Sequence, residues 1–194
     1  MKTALMLSFL IILAACQNSD GKKGQSEGGQ ADTTSMRNGS QKQKPLLSPP
    51  DSASITVGDL TVKVTFGSPS VRGREIWDGL VPYNKVWRTG ANEASTFSVS
   101  QDVMIDGKEL PAGRYGLFTI PNKEEWVVIL NKVWDQWGAF EYNDKEDILR
   151  FTIKPQMVDD FKERMDFDLE EADGGVKVIF RWEKLMFTFM INPA

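Results

Sequence analysis

Between Tyr83 and Glu93, in the stretch "VPYNKVWRTGANE" (81–93), the chain places Tyr83, Trp87, Arg88, Asn92 and Glu93 within eleven positions. The spacing follows neither the two-residue period of a strand nor the 3.6-residue period of a helix, so the stretch reads as an irregular loop. Two chemistries suit these side chains. In the first, an indole presents a flat apolar face to a sugar or peptide while Arg88, Asn92 and Glu93 hydrogen-bond its polar groups, the composition of a mostly apolar pocket with few polar anchors. In the second, Arg88 stacks on Trp87 and pairs with the Glu93 carboxylate, bracing the loop without any ligand. Either way Arg88 and Glu93 are expected to act as a unit. Trp77 lies just upstream, and a second aromatic and polar group follows at Asn131, Trp134, Gln136, Trp137, Gly138 and Tyr142. The candidate ligand-binding set is therefore Trp77, Tyr83, Trp87, Arg88, Asn92, Glu93 and Trp137.

Composition narrows the chemistry further. The chain has no His, which removes the Ser-His-Asp arrangement, the usual general base near neutral pH, and imidazole metal ligands. Its single Cys, Cys16, leaves no disulfide framework. An enzyme built from this chain would have to use carboxylates, Ser with Lys, Tyr, or an oxygen-bound metal. The enzymatic alternative is thus a glycosidase-like hydrolase of an envelope or extracellular polymer, with Glu93 and a second acid, Asp78 or Glu141, as its carboxylate pair. A structural envelope component is the third reading. The acidic run from Asp159 to Asp173 lacks the ordered spacing and Gly of a calcium loop and reads as a solvated edge. No Gly-Lys-Ser or Gly-Lys-Thr completes a phosphate loop, and neither metal nor cofactor is expected. Residues 55–194 carry 17 basic against 23 acidic side chains, a net −6, which disfavours nucleic acid as a partner.

The elements that must position these residues read as strands. Leu60, Val62, Val64 and Phe66 alternate with Thr61, Lys63 and Thr65, and Thr96–Val99 repeats the pattern. Val103–Ile105 followed by Asp106-Gly107 predicts a hairpin with a type I′ turn. Strands follow over Arg114–Ile120, over Trp126–Asn131, which is apolar enough to be central, and over Leu149–Ile153. Val176–Trp182 and Leu185–Ile191 are expected to pair as a terminal hairpin across Glu183-Lys184, and Pro155–Glu163 is the one candidate for a short helix. The expectation is an all-β domain of about eight to ten strands, an antiparallel β-sandwich or β-barrel-like domain, with one long irregular loop and at most a short helix.

The chain opens with Lys2, a run of about ten apolar residues from Ala4 to Leu13, too short to span a bilayer as a helix, and then Leu13-Ala14-Ala15-Cys16. That pattern resembles the lipobox of bacterial lipoprotein precursors, so residues 1–15 are expected to be a signal peptide and Cys16 the site of lipid attachment. Residues 16–54, rich in Gly, Ser, Gln, Asn and Lys, are expected to form a disordered tether spanning about 30–35 Å. Residues 55–194 then form a single domain at the cell envelope, held to a membrane through the Cys16 lipid.

The motifs "GSPSVRGREIW", "LVPYNKVWRTGANEAST", "LPAGRYGLFTIP" and "DQWGAFEY" together resemble the bacterial domain-of-unknown-function family 2911 over residues 60–170. That family occurs mainly in secreted and lipid-anchored proteins of the Bacteroidetes group. The resemblance implies a secreted β-rich domain without an established activity, and supplies no catalytic residues. With it, the sequence reads as a lipid-anchored binding or interaction module whose 67–95 and 131–142 loops converge, taking a carbohydrate or peptide ligand.

Overall fold

In Leu60–Gly67 the alternating apolar residues all point to one side: Leu60, Val62, Val64 and Phe66 are buried and Lys63 is exposed. The same period-two patterning, repeated along the chain, builds the whole fold. The computed structural model describes residues 46–194, so the leader, Cys16 and most of the expected tether lie outside the described residues. Ten strands follow in order: β1 (Pro50–Val57), β2 (Leu60–Gly67), β3 (Ser95–Val99), β4 (Val103–Ile105), β5 (Lys108–Leu110), β6 (Gly113–Ile120), β7 (Trp126–Asn131), β8 (Asp147–Ile153), β9 (Gln156–Ala172) and β10 (Gly175–Pro193). A 3-10 turn, Asp144–Glu146, precedes β8. All pairings are antiparallel, in a six-stranded sheet ordered β1-β2-β3-β6-β7-β8 and a four-stranded sheet ordered β5-β4-β10-β9. Inner-face side chains of both sheets meet in one core, a β-sandwich and not a closed barrel.

The aromatic residues concentrate in that core. Trp77, Trp87, Trp126 and Trp182 form one cluster, with Trp77 edge-on to Trp126 at 5.0 Å and Trp87 stacked on Trp182 at 5.9 Å. Phe180 stacks on Phe187 at 4.6 Å beside it. Such pairs add stabilisation beyond the area they bury.

Three expectations need correction. Pro155–Glu163 forms no helix: from Gln156 on it belongs to β9, which pairs with β10 at Gln156, Met157 and Lys162 across an interrupted register and continuously from Asp166 to Ala172. The terminal hairpin also falls elsewhere. Asp173 and Gly174, both at positive φ (50° and 76°), turn β9 into β10, and the residues around Glu183-Lys184 lie inside β10. There the register shifts and Glu183 sits at φ 58°. The buried positions change parity across this point, from Val176, Val178, Phe180 and Trp182 to Leu185, Phe187, Phe189 and Ile191, as the left-handed Glu183 turns the strand over where its register with β9 is interrupted. Finally, β7 is next to the edge and β3 and β6 are central. It reads as apolar throughout for another reason: a second small core of Ala94, Phe118 and Ile129, with Val86, Ala139 and Tyr142 against it, covers the outer face of β6 and β7. The 83–94 and 131–142 loops supply that cover. The Asp106-Gly107 hairpin forms as expected, with φ of 51° and 69°. β1 starts at Pro50, inside the stretch assigned to the tether.

Candidate functional site

The segment 68–94, between β2 and β3, has a defined path although it contains no strand. Isolated bridges join Ser70 to Arg164, Trp77 to Val81, Trp87 to Thr119 and Glu93 to Trp137. Five non-glycine residues in it take positive φ: Arg72, Asp78, Asn84, Thr89 and Asn92. Thr89 is the telling case, because a β-branched residue at φ 51° is a conformational outlier that its surroundings must enforce. It is fully buried, its hydroxyl lies 3.1 Å from that of Thr119, and its carbonyl accepts from the Ser95 hydroxyl at 2.8 Å. The turn it begins crosses the end of β2 at Gly67. The Ala91 N–H donates to the Gly67 carbonyl at 3.1 Å, and a Cβ at Gly67 would lie 2.1 Å from the Ala91 carbonyl oxygen.

This geometry brings the two loops together. The Ala94 N–H donates to the Gln136 carbonyl and the Gly138 N–H to the Asn92 carbonyl, both at 3.0 Å. Asn131 and Gln136 secure the second loop from within: Asn131 Nδ2 donates to Asp147 Oδ1 at 2.7 Å, and Gln136 Nε2 to the Val133 carbonyl at 2.9 Å. Tyr142 donates to Asp147 Oδ2, and burial together with that carboxylate pushes its phenol up to about 12. Trp134 is covered by the guanidinium of Arg114, 4.0 Å from its ring centroid.

The candidate residues separate into distinct places. Trp77 and Trp87 belong to the aromatic core, the Trp87 indole N–H donating to the Gly90 carbonyl at 3.2 Å. Tyr83 is half-buried beside Asp78, its phenol pushed up by burial and by nearby carboxylates, and it lines neither of the two cavities at the loop junction. Arg88 and Glu93 do not form the expected unit. Among the described residues the ion pairs are Arg150–Asp147, Lys162–Asp166 and Arg181–Asp168, and Arg88 is in none of them. The left-handed residues Thr89 and Asn92 reverse the chain between them, so that Glu93 bridges to Trp137 while the Arg88 guanidinium passes close to Gly138. Arg88 Nε is buried without a hydrogen-bond partner, and burial lowers its pKa.

Two cavities of about 510 Å³ each flank the junction. The first is a groove between the start of β1, the end of β2 and the converged loops, lined by Asp51, Phe66, Asn92, Glu93 and Trp137. Asp51 is the acid that joins Glu93 there, and neither Asp78 nor Glu141 lines the groove. The second contains Arg74, Trp87, Arg88 and Trp182. Leu46 and Asn92 line both. Asn92 Nδ2 holds the Ser48 carbonyl at 3.0 Å, and Arg72 holds the Leu47 carbonyl at 2.9 Å, fixing the segment that leads into β1. Asp51 and Leu46 were hidden to sequence reading within an expected tether, and Arg74 stood out only as one more charge in the long loop.

Four of the seven large apolar residues left exposed in the described residues, Leu46, Leu47, Leu80 and Trp137, line these two cavities, which sets this end of the sandwich apart from the rest of the surface. Among the described residues no group of three or more His, Cys, Asp or Glu is placed to hold a metal, and the acidic residues 159–171 are spread along β9, an edge strand of its sheet, with Asp173 in the turn that follows. No helix is long and apolar enough to cross a membrane among the described residues.

No curated protein and no solved structure matches the chain. A family model does match, over residues 48–191, and so takes in β1, β9 and nearly all of β10, beyond the 60–170 core of recognisable motifs. The chain belongs to the family described as "Protein of unknown function (DUF2911)".

Proposed function

We propose that the protein is a binding module of the cell envelope, anchored by a lipid on Cys16, that holds a carbohydrate against the face of Trp137. The exposure of Trp137 carries this reading. Four of the six indoles are spent in the core and Trp134 is capped by Arg114, whereas Trp137 is 58 % exposed beside a groove. Leaving a large apolar face in water forgoes the stabilisation of burying it, and flat amphipathic faces of this kind suit a ring-shaped ligand with apolar and polar sides. Asn92, Glu93 and Asp51 line the same groove and supply both donors and acceptors for sugar hydroxyls. Because the Trp137 backbone is bridged to Glu93, platform and polar groups are held relative to one another before a ligand arrives, which reduces the ordering cost of binding.

Calorimetric titration of neutral oligosaccharides drawn from a glycan screen tests the reading. Binding is expected, and Trp137→Ala should weaken it by roughly tenfold or more, equivalent to at least about 1.4 kcal/mol. Binding that Trp137→Ala leaves unchanged, or capture of peptides and no glycan, would overturn it. Turnover of the bound oligosaccharide that Glu93→Gln abolishes would instead establish the hydrolase.

A further inference from the structure

The second cavity has a character that the carbohydrate reading does not absorb. Its lining is somewhat more apolar than polar, with Leu80, Val81, Trp87 and Trp182 in it, and its charged members are Arg74 and Arg88, with no carboxylate. This occurs in a domain whose residues 55–194 carry a net charge of −6, where a cavity with two cations and no carboxylate in its lining runs against the overall balance, although Arg74 also borders a neighbouring cavity with Glu75 and Glu183. Among the described residues neither cation is in an ion pair. Arg74 is oriented by two backbone carbonyls, Nε donating to Val71 at 3.1 Å and Nη2 to Ser70 at 2.6 Å, which leaves the remaining donors of its fork uncommitted. Arg88 has no ion-pair partner among the described residues, and its Nε is buried with no acceptor.

Holding a half-buried guanidinium without a counter-charge costs desolvation energy that an anion would offset. Guanidinium forks match the paired oxygens of carboxylates and of tetrahedral oxyanions such as phosphate, and aromatic walls match a flat apolar body. We propose that this cavity binds a small organic anion with a flat apolar body, its oxyanion head held by Arg74 and Arg88 and its body lying against Trp87 and the exposed Leu80. The site is separate from the Trp137 groove, with Leu46 and Asn92 as the shared wall.

Two naphthalene probes decide it: 8-anilinonaphthalene-1-sulfonate, which has a flat body and an oxyanion, and N-phenyl-1-naphthylamine, which has the body alone. The purified protein is titrated with each by fluorescence. The sulfonate should bind, and Arg74→Met and Arg88→Met should each weaken it roughly ten- to a hundred-fold, the range for losing a hydrogen bond to a charged group. The uncharged amine should change less than about threefold, within the span of ordinary surface changes. Trp137→Ala should leave both probes unaffected, so that this site and the carbohydrate groove stand or fall separately. Failure of the wild type to bind the sulfonate, equal losses for both probes, or retention of the sulfonate by the double Arg74→Met/Arg88→Met variant would overturn the proposal. Thermal melts of each variant establish that an affinity loss is not unfolding.

Discussion

A double-mutant cycle on Arg88 and Glu93 separates the geometry observed from the pairing that their spacing suggests. Were they a buried pair, each single replacement would strand a charge and cost about 3–5 kcal/mol, with the double costing far less than the sum. The structure predicts otherwise. Glu93 is exposed and forms no ion pair, so Glu93→Ala should fall within about 0.5 kcal/mol of wild type, as ordinary surface changes do. Arg88→Met removes a buried N–H whose unmet hydrogen bond costs on the order of 1–3 kcal/mol, and loses contacts made by the guanidinium end while keeping those of the aliphatic stem. These terms oppose one another, and the net change should stay within about 1 kcal/mol. The coupling between the two sites should not exceed about 0.5 kcal/mol, the usual error of additivity. Urea denaturation of wild type, both singles and the double, read by tryptophan fluorescence with a common m-value, supplies all four corners. A coupling above about 1 kcal/mol, or a loss of 3–5 kcal/mol in either single, would show that the two charges do meet and that the loop path is wrong.

Gly67→Ala should destabilise the domain by more than about 3 kcal/mol, because the added methyl would lie 2.1 Å from a backbone oxygen that cannot move without unseating the Thr89–Asn92 turn; urea melts with a near-wild-type midpoint would refute this. Asp166 has its pKa raised, chiefly by burial and further by Asp168, against the opposing pull of Lys162 and Arg181. A carboxyl whose folded pKa lies above its unfolded value costs stability at pH above the folded pKa, and that cost disappears as pH falls below the unfolded value of about 3.9. Asp166→Asn should therefore be more stable than wild type at pH 7, with the difference closing as pH enters the carboxylate range; a destabilised variant at pH 7 would show that the Lys162 and Arg181 attractions dominate. Cys16→Ala should release the protein from membranes into the soluble fraction, and retention after a salt wash would refute the lipid anchor.

The β-sandwich was legible because its cause is local. A strand with one face in the core alternates every second residue, as in Leu60–Phe66, and a two-residue turn needs residues that tolerate positive φ, as Asp106-Gly107 do. The same local rule misled at 155–163, where Met157, Val158 and Phe161 fit a helical face, and only the pairing of the long strand β9 with β10 settles the conformation. The parity change between Trp182 and Leu185 was visible in the sequence, but a turn and an irregularity within one strand both produce it, and choosing between them requires knowing that β9 lies alongside. At the candidate site, residue types identified the two loops and their convergence. They could not assign the indoles. Trp77, Trp87 and Trp137 are chemically identical, and only the packing of two sheets places the first two in the core and leaves the third exposed. Nor could spacing tell that Arg88 and Glu93 part company, since that follows from left-handed backbone at Thr89 and Asn92, enforced by the nearby Ser95 and by Thr119 and Ser48 from distant parts of the chain. Local periodicity thus determined the strands, whereas the partners of each loop side chain were decided by tertiary contacts that no short stretch of sequence contains.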